Sequence, residues 1–280
     1  MGYSIFDETM VDMAWPDIEK AARDKAIVIL PIGVIEEHGP HMGLGVDAYC
    51  SYLVSKLTRE GLEQRGVKTL IAPPFYWGIN YATGSFPGSF TVRRETMKAM
   101  LYDILSCLIR WGFENVFIIN WHGDHHHNMV IIESLREART ETGIRAYFIL
   151  RALDARRFNL SGKEPHVIVQ KDTRSPGPSS KYFEIHADSL ETGIMQQYFP
   201  KQVNTKLSKK LKSTDLTRKD LMLWRQGWSD AKKLTPDGYF GDPAGFDPPQ
   251  AKKFIQRHAG DIADLIEKYL KGEYKPPALE

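Results

Sequence analysis

Two short, nearly uninterrupted apolar runs constrain this chain more than anything else in it. Residues 26–34 read Ala-Ile-Val-Ile-Leu-Pro-Ile-Gly-Val, and residues 115–120 read Asn-Val-Phe-Ile-Ile-Asn. A run this short, with little polar alternation, is the mark of a strand covered on both faces. Helical patterns separate these runs. Helices are expected over 16–25, where Pro16, Asp17 and Glu19 suit a first turn, and over 48–65, 95–111, 129–142, 188–198 and 249–270. Further strands are expected over 67–72 and 145–150. Such alternation predicts an α/β fold, a three-layer α/β/α domain around a mainly parallel sheet. Residues 1–280 are read as one domain. Residues 154–180, polar and carrying Pro165, Pro176 and Pro178, are expected to form an irregular excursion or lid, and 207–228 an amphipathic stretch.

A chain of 280 residues can bury one large core of this kind. Its 37 basic and 35 acidic residues leave a net charge of +2, which gives no global attraction to nucleic acid or an anionic membrane. The basic run over 201–212 is read as a solvated helix face. No apolar stretch approaches the ~18 residues of a membrane span. Cys50 and Cys107 form no CxxC pair, so a reducing cytoplasm is expected. The first fifteen residues carry Asp7, Glu8 and Asp12, unlike a signal peptide.

Chemistry concentrates just after the two apolar runs. Behind the first lies Glu36-Glu37-His38-Gly39-Pro40-His41, with Asp47 beyond Gly43 and Gly45. While the chain is extended, Glu36 and His38 point to the same side, and the glycines let the loop return Asp47 toward them. Two carboxylates and an imidazole suit a divalent ion of the zinc or manganese type. The carboxyl ends of strands are also where open α/β sheets bind ligands. Behind the second run lies Trp121-His122-Gly123-Asp124-His125-His126-His127. His122 stands just past its strand as His38 does past the first. The four histidines cannot all reach one centre. A third cluster, His186-Ala187-Asp188-Ser189-Leu190-Glu191, spans a helix start. Taken alone it reads equally well as acidic residues at a helix dipole. Beside the other two it makes His186 a candidate proton shuttle and Glu191 or Asp188 a further ligand.

Together these segments resemble the creatininase (creatinine amidohydrolase) family. Residues 36–47 are similar to its E-x-H-G-P-H-L-P-L-G-x-D segment, 120–125 to N-G-H-(G/Y)-(G/E)-N, and 186–193 to H-A-(G/A)-x-x-E-T-S. Phe86-Pro87-Gly88-Ser89 and Gly238-Tyr239-Phe240-Gly241-Asp242-Pro243 look like its F-P-G-T and G-V-x-G-D-P segments, so the resemblance runs over about 31–266. It implies two divalent ions, Zn2+ or otherwise Mn2+ or Fe2+. By position Glu36 and His122 would hold one, His38 the other, and Asp47 would bridge them. Asp124 falls where creatininase has a metal-binding glutamate, and His186 at its catalytic histidine. The family also implies a homo-oligomer such as a hexamer.

Departures bear on the substrate. Trp121 replaces a glycine beside the metal, His125 an asparagine, and Tyr182 stands where creatininase has a tryptophan. With Tyr81 these are the candidate substrate-binding residues. The resulting expectation is a metal-dependent hydrolase of a small cyclic or linear amide. In it the ion activates water, Asp124 or Glu37 accepts a proton, and His186 delivers one to the leaving group. Two rivals stand beside it. One is hydrolysis of a carbon–carbon bond in a keto-inositol or keto-sugar ring, as in relatives acting on 3-dehydro-inososes, with Asn80, Tyr81, Thr83, Asp124, His125 and Lys181 as polar pocket groups. The other is a metal-binding protein without activity on the same fold.

Overall fold

The computed structural model describes residues 4–171 and 180–279. Its centre is a five-stranded sheet of β1 (Ile27–Ile32), β2 (Thr69–Ile71), β3 (Asn115–Asn120), β4 (Arg145–Arg151) and β5 (Val167–Gln170), in the order β2-β1-β3-β4-β5. Every pairing among these strands is parallel. All carboxyl ends therefore gather at one edge of the sheet, and the loops after β1 and β3, neighbours in the sheet, emerge side by side.

The period of two divides each strand between two cores. Val28, Leu30 and Ile32 join α1 (Trp15–Arg23), α3 (Arg94–Arg110) and α4 (His125–Thr142) on one face. Ile27 and Ile29 join α2 (Val46–Glu63), α6 (Ser189–Tyr198) and α10 (Pro248–Leu270) on the other. This is the expected three-layer α/β/α arrangement. Each fully buried aliphatic side chain here contributes roughly 1.5–3 kcal/mol, which is why these runs, without polar positions, form the interior strands.

Two expectations are corrected. The stretch 154–180 is not irregular over its first half. It continues α5 (Ala152–Arg157) and contains β5, whose Val167-Ile168-Val169 is fully buried beside β4. Four residues between polar flanks gave too short a signal to separate from a loop. Its residues 172–179 lie outside the described residues. Nor does 201–212 form one helix face; it and the amphipathic stretch 207–228 are divided among short elements. They break into a 3-10 turn Pro200–Gln202 and the short helices α7 (Thr205–Ser208), α8 (Asp220–Trp224) and α9 (Trp228–Leu234). Cys50 is buried in α2 and Cys107 half-buried in α3, both as free thiols. Among the described residues no helix is long and apolar enough to cross a membrane.

Candidate metal centre

The site begins where β1 stops. Gly33 lies so close to the start of α2 that a Cβ there would stand 2.7 Å from the carbonyl of Asp47. That approach carries Asp47, in the first turn of α2, back over the strand end. The intervening loop is held by Glu36 N–H donating to the Leu44 carbonyl (3.0 Å) and Asn204 N–H to that of His41 (2.7 Å). After β3, the Asn120 amide brackets His122, donating to its carbonyl (2.7 Å) and accepting from its N–H (3.2 Å), while Asn128 donates to the same carbonyl (2.9 Å). The third segment enters through α6, whose N-cap Asp188 accepts from Glu191 N–H (3.0 Å).

Six side chains converge. Nδ1 of His122 is 3.0 Å from Glu36 Oε1 and 3.1 Å from Asp47 Oδ2. Nε2 of His38 is 3.7 Å from Asp47 Oδ1 and 3.8 Å from Glu191 Oε2. Nδ1 of His186 is 3.9 Å from Glu36 Oε1. Three sets have ligand atoms within 4.8 Å of one another: Glu36–Asp47–His122, His38–Asp47–Glu191 and Glu36–His38–His186. The first two share Asp47.

The histidines have a common pattern. Each turns one ring nitrogen to a backbone carbonyl: His122 Nε2 to Ile79 (3.0 Å), His38 Nδ1 to Glu36 (3.2 Å), His186 Nε2 to Glu37 (2.9 Å). A nitrogen facing a carbonyl carries the proton. The other nitrogen is then left with its lone pair toward the carboxylates, the tautomer metal-ligating histidines adopt. His38 Nε2 and Asp47 Oδ2 are buried without a hydrogen-bond partner. Asp47 Oδ2 is near His122 Nδ1 but not aligned with it for a hydrogen bond. Buried polar atoms do not stay orphaned without cost, and a cation between them satisfies both. The donor set therefore fits a divalent ion.

Electrostatics agree. Burial opposes charge on all three histidines. The carboxylates nevertheless raise the pKa of each: that of His38 through Asp47 and Glu191 against the opposing His186, that of His122 well up through Glu36 and Asp47, and that of His186 to about 10 through Glu36 and Glu37. Asp47, despite burial, is held well below the usual carboxylate range by His122 and His38. A pocket that binds protons this strongly is built for positive charge.

The other candidate residues are distributed around this centre. Glu37 Oε1 is 3.4 Å from His186 Nε2, and its carboxylate packs so tightly on Gly238 that a Cβ there would stand 2.0 Å from Oε2. Asp124 is taken up otherwise. Its oxygens accept from the N–H groups of His126 (2.8 Å), His127 (3.2 Å), Tyr81 (3.0 Å) and Ala82 (3.4 Å), capping α4 and tying it to the 81–82 loop, and it joins none of the three ligand sets. His127 is buried behind His122, ring to ring at 5.0 Å, and burial holds its pKa well down. His125 and His126 are exposed at the rim, against Phe158 (5.5 Å) and Tyr81 (4.4 Å). Trp121 Nε1 donates to Glu191 Oε1 (3.2 Å), and Tyr182 is half-buried under Lys181. Tyr76 and Trp77 lie against each other in a tilted arrangement (5.4 Å), with Trp77 edge-on to Phe90.

Sequence reasoning missed two aromatic neighbours. Trp224 of α8 lies 5.8 Å from the His186 ring, its Nε1 donating to Thr235 Oγ1 (3.1 Å), and His258 of α10 stands edge-on to Trp121 at 6.1 Å. Neither belongs to a motif or a strand end, so no local signal marked them. Thr83, named above as a polar pocket group, instead donates its hydroxyl to Glu36.

Comparison with known proteins follows the same lines. Residues 11–266 match the model of the family described as creatinine amidohydrolase. The creatinine amidohydrolase of Pseudomonas putida is 28% identical over 46% of this chain and 50% of its own length, so the match spans about half of that relative. The mycofactocin precursor peptide peptidase of Mycobacterium ulcerans is 22% identical over 88% of this chain and 86% of its own length. The 3-dehydro-scyllo-inosose hydrolase of Thermotoga maritima is 25% identical over 67% and 55%, respectively. A solved structure, "Creatininase Mn", superimposes with a TM-score of 0.70 at 18% identity over 94% of this chain and 98% of its own.

Proposed function

The chain belongs to the creatininase family, and from that premise we propose that it is a metal-dependent amidohydrolase, cutting a carbon–nitrogen bond of a small cyclic or linear amide. The observation that carries this reading is the shared pattern of the three buried histidines, each with one nitrogen fixed by a carbonyl and the other turned to the carboxylates. Glu36, Asp47 and His122 would hold one ion, and His38, Asp47 and Glu191 a second, with Asp47 common to both. Zinc is the ion proposed, manganese or iron(II) the alternatives. An ion so held supplies Lewis acidity toward water and a substrate carbonyl.

The chain's own groups handle the proton. His186 keeps Nε2–H on the Glu37 carbonyl, which leaves Nδ1 facing the site. Once an ion engages Glu36 and offsets the negative charge that raises the His186 pKa, that atom would take a proton from the attacking water and return it to the leaving nitrogen as the C–N bond breaks. Glu37, 3.4 Å from Nε2, steadies the charged ring. Trp224 covers His186 on one side and excludes water. Trp121, Tyr81, His125 and Tyr182 are assigned to substrate contact. Asp124 is not needed as ligand or base.

The amide reading is preferred to the keto-sugar one on a specific ground. A polyhydroxylated ring needs free polar groups. Asn80, however, spends its NH2 on the carbonyls of Ile35 and Phe90, keeping only Oδ1 unpaired, Thr83 its hydroxyl on Glu36, and Asp124 its carboxylate on backbone N–H groups. Two of the three relatives are also named for amide or peptide cleavage. A homo-oligomer, hexameric as the family resemblance implies, in the cytoplasm completes the proposal.

The test is metal content per chain by elemental analysis, on wild type, His122→Ala and Asp47→Ala, followed by a screen of amides against keto-sugars. About two ions in wild type, falling in both variants, with turnover of amides, is the expected result. Metal-free wild type, or content indifferent to both substitutions, overturns it.

A further inference from the structure

Trp121 is the first residue past β3. Its N–H donates to the Ile32 carbonyl (3.3 Å), which carries the sheet pairing one step beyond the strand and fixes this backbone against β1. Phe117 and Ile119 turn to the face covered by α2, α6 and α10, and the period of two sends Trp121 the same way. There its ring meets His258 of α10 edge-on at 6.1 Å, and Phe254, one turn earlier, stacks on His258 at the same distance. The indole N–H reaches the first turn of α6, where it donates to Glu191 Oε1 (3.2 Å).

We propose that Trp121 is a positioning residue for Glu191: its indole N–H holds the carboxylate with Oε2 toward His38 and Asp47, and this hydrogen bond sets how tightly the ion of that ligand set is bound. The inference rests on the metal-dependent reading above and adds to it a residue that would touch no ion itself.

Three observations carry this. First, the carboxylate is held at both oxygens, Oε1 by Trp121 and Oε2 by Ala187 N–H (2.7 Å). The last torsion of a glutamate side chain is broad. One bond leaves the carboxylate plane free to turn, and the second fixes it. Second, Ala187 is fully buried with φ at 49°, in the left-handed region that L residues rarely occupy. The chain thus keeps a strained residue at the place where the Oε2 bond is made. Third, Oε2 stands 3.8 Å from Nε2 of His38, a buried nitrogen without a hydrogen-bond partner.

A plain helix cap explains less. A glutamate in the first turn commonly reaches back to a backbone N–H while the cap residue accepts from its own, and Asp188 and Glu191 do this at the start of α6. That accounts for the bond to Ala187. It requires no indole, and it gives no reason for the carboxylate to face an orphaned imidazole nitrogen. Glycine, which the family segment carries at position 121, has no side chain to donate the bond. Partners of this kind orient a metal ligand and are felt in metal affinity.

The experiment is zinc binding to the full chain, stripped of metal and titrated in competition with a chromophoric chelator, with elemental analysis of the reloaded forms. It compares wild type, Trp121→Phe, Glu191→Ala and the double variant. Phenylalanine keeps an aromatic ring beside His258 and removes the donor. The expected result is that Trp121→Phe weakens, by about 10–100-fold, the ion that Glu191→Ala removes. It spares any other ion and adds nothing on the Glu191→Ala background. A role in packing alone would loosen all bound ions alike or deepen the loss in the double variant, and either result overturns the proposal. So does wild-type zinc affinity in Trp121→Phe, or a Glu191→Ala variant that keeps every ion. Metal-free wild type overturns the hydrolase reading and this proposal together, whereas loaded wild type with an indifferent Trp121→Phe overturns this proposal alone.

Discussion

Gly33→Ala tests how the site is assembled without touching a single ligand. The added Cβ would stand 2.7 Å from the carbonyl carbon and oxygen of Asp47 and 2.8 Å from Ala48 N, where ordinary contact begins at 3.4 Å. All three atoms are backbone, so no side chain can swing away. Either the strand exit or the first turn of α2 must retreat by about 0.7 Å, the difference between those distances. Overpacking of this kind costs about 1–3 kcal/mol. For a chain of 280 residues that lowers Tm by about 2–5 °C. The larger effect is on the proposed centre. Metal–ligand distances tolerate about 0.2 Å, and Asp47 is the carboxylate common to two ligand sets. Metal affinity is expected to fall by about 10–100-fold, the scale on which loss of ligand support is felt. Thermal denaturation with and without added zinc, and competition with a chromophoric chelator, measure the two effects. Wild-type stability together with wild-type metal affinity would refute the claim that the close approach at Gly33 sets the position of Asp47.

Two other substitutions probe neighbouring parts of the argument. Asp124→Ala removes the N-cap of α4 and leaves the loop N–H groups of Tyr81 and Ala82 unpaired. It should cost about 1–2 kcal/mol in urea denaturation with metal content unchanged, whereas loss of an ion would make Asp124 a ligand after all. His258, half-buried against Trp121 and Phe254, has its pKa lowered to about 4, first by burial and then by Arg151. The unfolded chain protonates this ring near 6.5 and the folded one only near 4. Its contribution is therefore complete above about pH 6.5 and is lost as pH falls toward 4. The size is at most about 3 kcal/mol, less what water reaching its exposed edge recovers. His258→Gln should flatten that part of the stability profile, and an unchanged slope between those pH values would contradict the assignment.

What the sequence disclosed depended on how local the cause was. β1 and β3 were legible because burial on both faces leaves an apolar run with nothing else to explain it. Glu36 and His38 were legible through their spacing, and His122 through its place after a strand. β5 was not, since an edge strand of four residues between polar flanks looks like a loop. The amphipathic stretch over 207–228 was legible as such but not as separate short helices, because amphipathic spacing does not reveal where the chain turns, as it does at Gly227, whose φ is 74°. Asp124 shows a different limit. A carboxylate that caps a helix and one that binds a metal use the same oxygens, and only the positions of the surrounding N–H groups distinguish them. Trp224 and His258 reach the site through tertiary packing alone, which no window of sequence contains.

The order of the ligands along the chain has a consequence for how the protein comes into being. Glu36, His38 and Asp47 leave the ribosome early, His122 only after β3, and Glu191 later still with α6. None of the three ligand sets closes within the first segment, because each draws on His122, His186 or Glu191. During synthesis the first carboxylates and imidazole therefore stand as an incomplete chelate. The full set exists only once β3 has docked beside β1 and α6 has packed on α2 and α10. Capture of an ion by the proposed centre would thus be a late step in maturation.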